Sequence, residues 1–410
     1  MAAPTRTRRR FFTPPVITLI ALSFLLGLSE FIVVGILPDI AGGIHVPEAM
    51  VGNLVSLFAI IYAPLTPIGS ALTARLPRFA TYLALVAAFL AGNILCAVAP
   101  NYAALCVGRV IIAAASGTIL SLSMTYADDV ASPEHRTKFI AWVFSGFSIA
   151  SVAGVPLGTW VADSFGWRRT FWLIDALTGI VIAAMLVSLP KRNARASARA
   201  HEVRFFAQFR LFGDRRIQIG TVAMVCGAAA GYTYYTYLTP ILRDEIGLPA
   251  RFVSPALVIY GLACLWSSLT AGKLAARGHG AQPMAGIRPV YALQAILLCT
   301  LPLAGLVPIY GALLLIGLGM LMYLQNSAAQ VLYMDVAEEA YPSALNLASS
   351  MSSTACNIGI AVGSAVGGLA NDAFGLTWLG PFGAVFALLA VGATTLLKHT
   401  DRIRRRGGAA

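Results

Sequence analysis

The chain has 410 residues, 58% hydrophobic and 11% charged, with a mean hydropathy of +0.77. A soluble domain carries about 25% charged residues, so this composition excludes a soluble enzyme core and implies a polytopic membrane protein. A net charge of +12 would point to nucleic acid in a soluble protein. Here its placement bears on topology instead, and no nucleic-acid partner is expected.

Before the first apolar run stand Arg6, Arg8, Arg9 and Arg10. That run is too long for the core of an export signal, and no small-residue cleavage site follows it. The arginines therefore read as a cytoplasmic anchor. Apolar runs fall at 16–38, 50–71, 80–99, 102–126, 137–162, 168–189, 216–240, 252–274, 287–306, 309–333, 343–370 and 377–397. At about 20 residues per crossing, these predict an all-α membrane protein of twelve transmembrane helices. Strands of a barrel would be about half as long. Counted along alternating loops, 24 of the 29 Lys and Arg share the side of the N-terminus. Four (Arg168, Arg169, Arg243 and Arg251) lie opposite, and Arg109 is inside a helix. The positive-inside rule then places both termini in the cytoplasm.

Within the first run, Val16 to Pro38, one residue is out of place. Glu30 is followed by Phe31, Ile32, Val33 and Val34. An acid at such depth costs several kcal/mol and marks a functional site by default. The alternative, a Glu reaching the headgroups from a helix end, is opposed by the apolar residues that continue to Pro38. Arg109 lies seven residues into the fourth run, about 10 Å deep, and Glu30 lies about 9 Å from the same face. A buried Arg needs a carboxylate or carbonyl partner. Burial favours the neutral carboxyl and a nearby guanidinium favours the charged one, so a site balanced between them can exchange a proton. A static ion pair that only fixes packing is the other reading. Asp175, in the sixth run, is a second intramembrane acid, placed where it could face water or headgroups. Asp128, Asp129 and Glu134 read as a solvated loop cluster with Arg136 and Lys138.

The stretch from Pro190 to Arg215 is the longest non-apolar one and divides the chain. Phe205, Phe206, Phe209 and Phe212 alternate there with Arg204, Arg210, Arg215 and Arg216, a spacing suited to an amphipathic helix on the inner leaflet. The flanking parts, 1–189 and 216–410, repeat one another. Gly154, Gly158, Asp163, Phe165 and Gly166 match Gly363, Gly367, Asp372, Phe374 and Gly375 at one offset of 209; Pro38 matches Pro240 at 202. Two parallel six-helix halves around an axis along the membrane normal follow from this repeat. Gly154 and Gly158 are one turn apart, with Pro156 between them to bend the helix, so a close-packed pair between the halves is expected.

These residues also carry a family resemblance. Gly154-Val155-Pro156-Leu157-Gly158 is similar to the antiporter motif of the major facilitator superfamily, drug:proton exporter branch. Ser29-Glu30-Phe31 through Leu37-Pro38-Asp39-Ile40-Ala41 resembles the first helix of bacterial drug, sugar and nucleoside exporters there. Gly108-Arg109 with Gly117 resembles that family's fourth-helix motif, and Tyr237-Leu238-Thr239-Pro240 the end of its seventh helix. The resemblance implies twelve helices and alternating access. One motif departs: the loop after the second run keeps Arg75 and Arg78, but Ala74 stands where the family has Asp, which puts the inner latch in doubt.

Candidate solute contacts are Asn53 and Ser56 in the second run; Tyr232, Tyr234 and Tyr237 in the seventh; Gln325, Asn326 and Gln330 in the tenth; and Asn357 in the eleventh. Buried amides and phenols need partners, which either neighbouring helices or a solute-filled cavity can supply. Aromatics and amides with few charges suit neutral or weakly polar organic solutes. The six Cys form no CxxC, and the five His are scattered, so no disulfide framework, metal site or cofactor is expected. The reading is a monomeric, proton-coupled exporter of small molecules in a bacterial cytoplasmic membrane. A sugar or nucleoside efflux permease with the same machinery is the alternative, with a non-coupled facilitator behind it. No enzyme is expected, because no nucleophile, base and metal ligands converge at one depth.

Overall fold

A computed structural model describes residues 11–73, 76–131, 136–191, 209–275 and 282–407. Arg75 and most of the predicted amphipathic stretch, Phe205 and Phe206 included, lie outside them. The long helical segments are α1 Pro14–Gly35, α2 Glu48–Thr73, α3 Arg78–Val98, α4 Tyr102–Thr125, α5 Arg136–Phe165 and α6 Trp167–Ser188. In the second part of the chain come α7 Arg215–Tyr235, α8 Ala250–Ala275, α9 Gln282–Leu303, α10 Pro308–Ala340, α11 Leu345–Phe374 and α12 Leu379–Gly407. No strand occurs among the described residues. Ten of these segments, all but α5 and α7, are long and apolar enough to cross a membrane. In α7 the apolar character is diluted by Gly, Ala and Tyr, and most of the helix is buried against protein. The lipid-facing belt shows instead as bare apolar side chains, such as Val187, Leu306, Ile309 and Leu369.

The same packing occurs twice. In the first half α1 packs on α5, and α3 on α4 and α6; in the second, α7 packs on α11, and α9 on α12. Contact between the halves runs through α2 with α11 and α5 with α8. Both leading helices break near their ends with similar backbone angles: α1 at Ile36 (φ −107°, ψ 15°), two residues before Pro38, and the chain after α7 at Tyr237 (φ −105°, ψ 21°), three before Pro240. The hairpins that follow the repeated Asp and Phe are also alike. Gly166 and Gly375 have φ of +86° and +85°, which a residue with a Cβ adopts only under strain. Gly375→Ala should therefore cost about 1–3 kcal/mol, read as a lower thermal unfolding midpoint of the purified protein; an unchanged midpoint would contradict the strain.

Small residues form the seams, but not between the halves as the spacing predicts. Gly154 and Gly158 face Leu28 and Ile32 of α1, and Gly363 and Gly367 face Ala229 and Thr233 of α7. Each glycine pair thus joins helices within one half. A Cβ at Gly367 would lie 2.5 Å from the Thr233 carbonyl oxygen, which explains why Gly is required there. Hydroxyls staple the same seams: Ser23 donates to the Val143 carbonyl at 2.6 Å, and Thr236 and Ser364 share a bond of 2.7 Å. Between the halves, close approaches occur at Gly261 of α8, against the Val152 carbonyl of α5, and at Gly52 of α2, against the Tyr237 ring. At the start of α3, Arg78 pairs with Asp129, bonds the Thr125 carbonyl at 2.9 Å and covers the Tyr126 ring. Asp129 is exposed, as expected of a loop charge, and pairs with Arg78. It supplies a carboxylate to Arg78 where Ala74 cannot.

Candidate functional site

Glu30 and Arg109 come together, in a different contact from an ion pair. Arg109, 1% exposed, donates through Nη1 to the Ser29 carbonyl at 2.7 Å and through Nη2 to the Glu30 carbonyl at 3.4 Å. Its guanidinium also lies 4.4 Å from the centre of the Phe58 ring in α2. The arginine therefore grips the backbone of α1, tying α4 to it and to α2. Ser29 completes the grip by donating to Asn93 Oδ1 at 2.8 Å, and Asn93 donates to the Phe89 carbonyl at 2.9 Å. These bonds hold α1, α3 and α4 in register at one level.

The Glu30 carboxyl is thereby left to other neighbours. The residue is 9% exposed, and its Oε2 is buried with no hydrogen-bond partner. Tyr62 of α2, Tyr232 and Tyr235 of α7, Tyr323 of α10 and Cys356 of α11 are all within its electrostatic reach. Four helices, from both halves, thus bring a side chain within electrostatic reach of one carboxyl of α1. An unsatisfied buried carboxylate oxygen carries a desolvation cost of several kcal/mol unless a proton, water or ligand meets it. The place can therefore take a proton or a polar group of a solute.

Asp175 is not exposed to water or headgroups. It is 6% exposed, both its oxygens are buried without partners, and it lies within electrostatic reach of Cys96 in α3. It sits inside the first half, behind α1, because α6 packs on α1 and α3.

The predicted solute contacts separate into two groups. Tyr234 shares a bond of 2.9 Å with Tyr260, and Gln325 accepts from Tyr291 at 2.7 Å. Both pairs lie within the second half, so these residues pack helices. Tyr237 is buried at the α2–α11 contact, against Gly52 and Gly368, with its hydroxyl unbonded. Ser56 Oγ, Asn326 Oδ1 and Asn357 Oδ1 are buried without partners. Tyr232 instead hydrogen-bonds Tyr323 and meets Tyr235 edge-on at 5.3 Å. Asn53 is exposed and Gln330 half-buried. The sequence reading omitted Phe58, Tyr62, Tyr323 and Cys356 as site residues, and left Tyr235 unselected among the tyrosines of the seventh run. Tyr235 was beside the named tyrosines, and Tyr323 falls at the break of α10 two residues before Gln325, so proximity in sequence was the usable signal. Among the described residues no group of His, Cys, Asp and Glu could hold a metal ion.

Comparison with known proteins settles the class. The Major Facilitator Superfamily profile matches residues 19–353. The chain belongs to the Major Facilitator Superfamily. It is a small-molecule transporter of the membrane and not an enzyme. The transporter is 31% identical over 392 residues to the uncharacterized MFS-type transporter YtbD of Bacillus subtilis, spanning 95% of this chain and 97% of that one. It is 28% identical over 378 residues to the inner membrane transport protein YdhP of Escherichia coli K12, spanning 92% and 94%. In fold it is similar to a bacterial homologue of the human lysosomal transporter Spinster, crystallised inward-facing and unoccupied. The TM-score is 0.78 at 14% identity, over 96% of this chain and 98% of that one. The nucleoside transporter NupG gives 0.71 at 17% identity, over 94% and 98%.

Proposed function

We propose that this transporter is a proton-coupled exporter of small neutral or weakly polar organic solutes, working by alternating access. The observation that carries the reading is the Glu30 carboxyl, buried on α1 among aromatic residues of both halves with an oxygen left unbonded. A carboxyl there can be charged in one arrangement of the halves and neutral in another, which is the requirement for coupling a proton to movement. Arg109 positions α1, and Asp175 is a second acid for the proton's route. Ser56, Tyr232, Asn326 and Asn357 line the solute path, with Asn53 and Gln330 at its edges. The twofold packing supports a division into 1–189, a linker at 190–215, and 216–410. Twelve crossings with both termini inside, a monomer and a bacterial inner membrane complete the proposal; the relative YdhP is named an inner membrane protein. The same open amide groups, Asn326 and Asn357, also suit the hydroxyls of a sugar or nucleoside, which keeps that class as the second reading.

The test is a thermal-shift panel of drug-like amphiphiles, sugars and nucleosides on the purified protein, followed by flux of each hit in proteoliposomes. Flux that rises when a proton gradient opposes the solute movement is expected. Flux indifferent to that gradient would overturn the coupling, and stabilisation by nucleosides or sugars alone would favour the second reading.

A further inference from the structure

Among the described residues, both ion pairs that join the first half to the second run through one side chain, Arg243. Its Nη2 donates to Asp163 Oδ1 at 2.9 Å, and its Nη1 lies 3.6 Å from Asp39 Oδ1. Asp39 stands on the short helix Leu37–Ile44 that follows α1, and Asp163 two residues before the end of α5. Arg243 itself sits in a π-helical turn, Ile241–Glu245, closed by the Ile246 amide on the Ile241 carbonyl at 2.9 Å. Single π turns of this kind recur at functional sites. The turn is anchored to its own half, because Glu245 Oε1 accepts from Thr377 at 2.8 Å in the α11–α12 hairpin. What remains to reach across is Arg243. Just below it, Thr239 donates to the carbonyls of Val34 and Gly35 at 3.0 and 3.2 Å, in the last turn of α1.

We propose that Arg243 is the latch of this end of the transporter: seated between Asp39 and Asp163 it holds the halves together, and it must leave both carboxylates when that end opens. The two partners are unequal. Burial holds the Asp39 carboxyl above its ordinary range, against the pull of Arg243, so the ionised Asp39 gains little from the closed arrangement. Asp163, nearer to Arg243 and one-third exposed, is the holding partner. Glu48 and Asp244 also face this cluster, so the end carries four carboxylates on one guanidinium. Without Arg243 they repel one another across the seam.

The inference rests on the alternation of the two halves proposed above but not on proton coupling. Its test therefore uses neither solute nor gradient. Amide hydrogen exchange is followed by mass spectrometry on the full chain in lipid nanodiscs, comparing residues 37–44 and 241–246 with residues 124–131 at the opposite end. Arg243→Gln should speed exchange about tenfold at the first two segments, equivalent to ~1.4 kcal/mol of lost closure, and leave the third within about twofold. The exchanged pair, Asp163→Arg with Arg243→Asp, should bring the rates back to within about threefold of the native ones, since opposite charges again face each other. Unchanged exchange in Arg243→Gln would overturn the latch. So would an equal rise at 124–131, which would make Arg243 a residue of general stability, and so would an exchanged pair as fast as the single variant. None of these results bears on Glu30, and a solute flux indifferent to protons leaves the latch standing.

Discussion

Glu30→Gln should leave solute binding intact and abolish concentrative export. The substitution keeps shape and hydrogen-bonding capacity but fixes the side chain neutral. Ser56, Asn326, Asn357 and the tyrosines around position 30 are untouched, so a neutral solute still finds its contacts. An inward proton gradient can drive export only through a group that changes charge as access alternates. With that group neutral, uptake against a gradient should vanish, while exchange of solute for solute, which needs no net proton movement, persists. Binding, counterflow and gradient-driven uptake can be measured on one preparation. A variant that still concentrates solute with a normal response to pH would remove Glu30 from the coupling role, and Asp175, with two unbonded buried oxygens, would be tested next.

Arg109→Ala should stop transport without unfolding the protein. Arg109 donates to two carbonyls of α1 and covers Phe58. A hydrogen bond to a charged group contributes about 1.5–3 kcal/mol. If these bonds set the position of Glu30 during the cycle, losing even one corresponds to a ~10–150-fold fall in rate. Stability should fall by less than the sum of the contacts, because a buried charge is removed along with them. Flux in proteoliposomes and the unfolding midpoint separate the two effects. Flux above about a third of the native value would show that the grip on α1 does not serve transport.

Much of the architecture was legible in the sequence because a bilayer leaves few choices. Each apolar run had to become a helix, and the repeated Gly, Asp and Phe placed two hairpins whose glycines share one backbone conformation. The destination of the glycines was not legible. Spacing says that a helix is approached closely but not by which helix, and Gly154 and Gly158 turned out to face α1. The charged pair was half legible. Depth brought Glu30 and Arg109 to one level, yet an arginine offered carbonyls at 29 and 30 bonds them and leaves the carboxyl to the tyrosines. Arg243 was invisible as anything but a loop charge, since its partners lie 80 and about 200 residues away and only the break after α7 aims it at them. Tyr234 and Gln325 could not be told from solute contacts, because a satisfied amide and an open one look alike in sequence.

The placement of the small residues has a mechanical consequence. Glycine seams weld α1 to α5 and α7 to α11, so each half behaves as a stiff beam. A fulcrum between beams at the narrow contact of Gly261 with the Val152 backbone would sit near mid-height of α5. A helix of 30 residues such as α5 is about 45 Å long, so its ends lie roughly 20 Å from a mid-height fulcrum. A tilt of about 10° then moves an end by roughly 3–4 Å. That is more than enough to part Arg243 from Asp163, while the carbonyls gripped by Arg109, inside one beam, keep their distance. Leverage of this kind would let a small bias near the fulcrum act on the two distant ends in opposite senses.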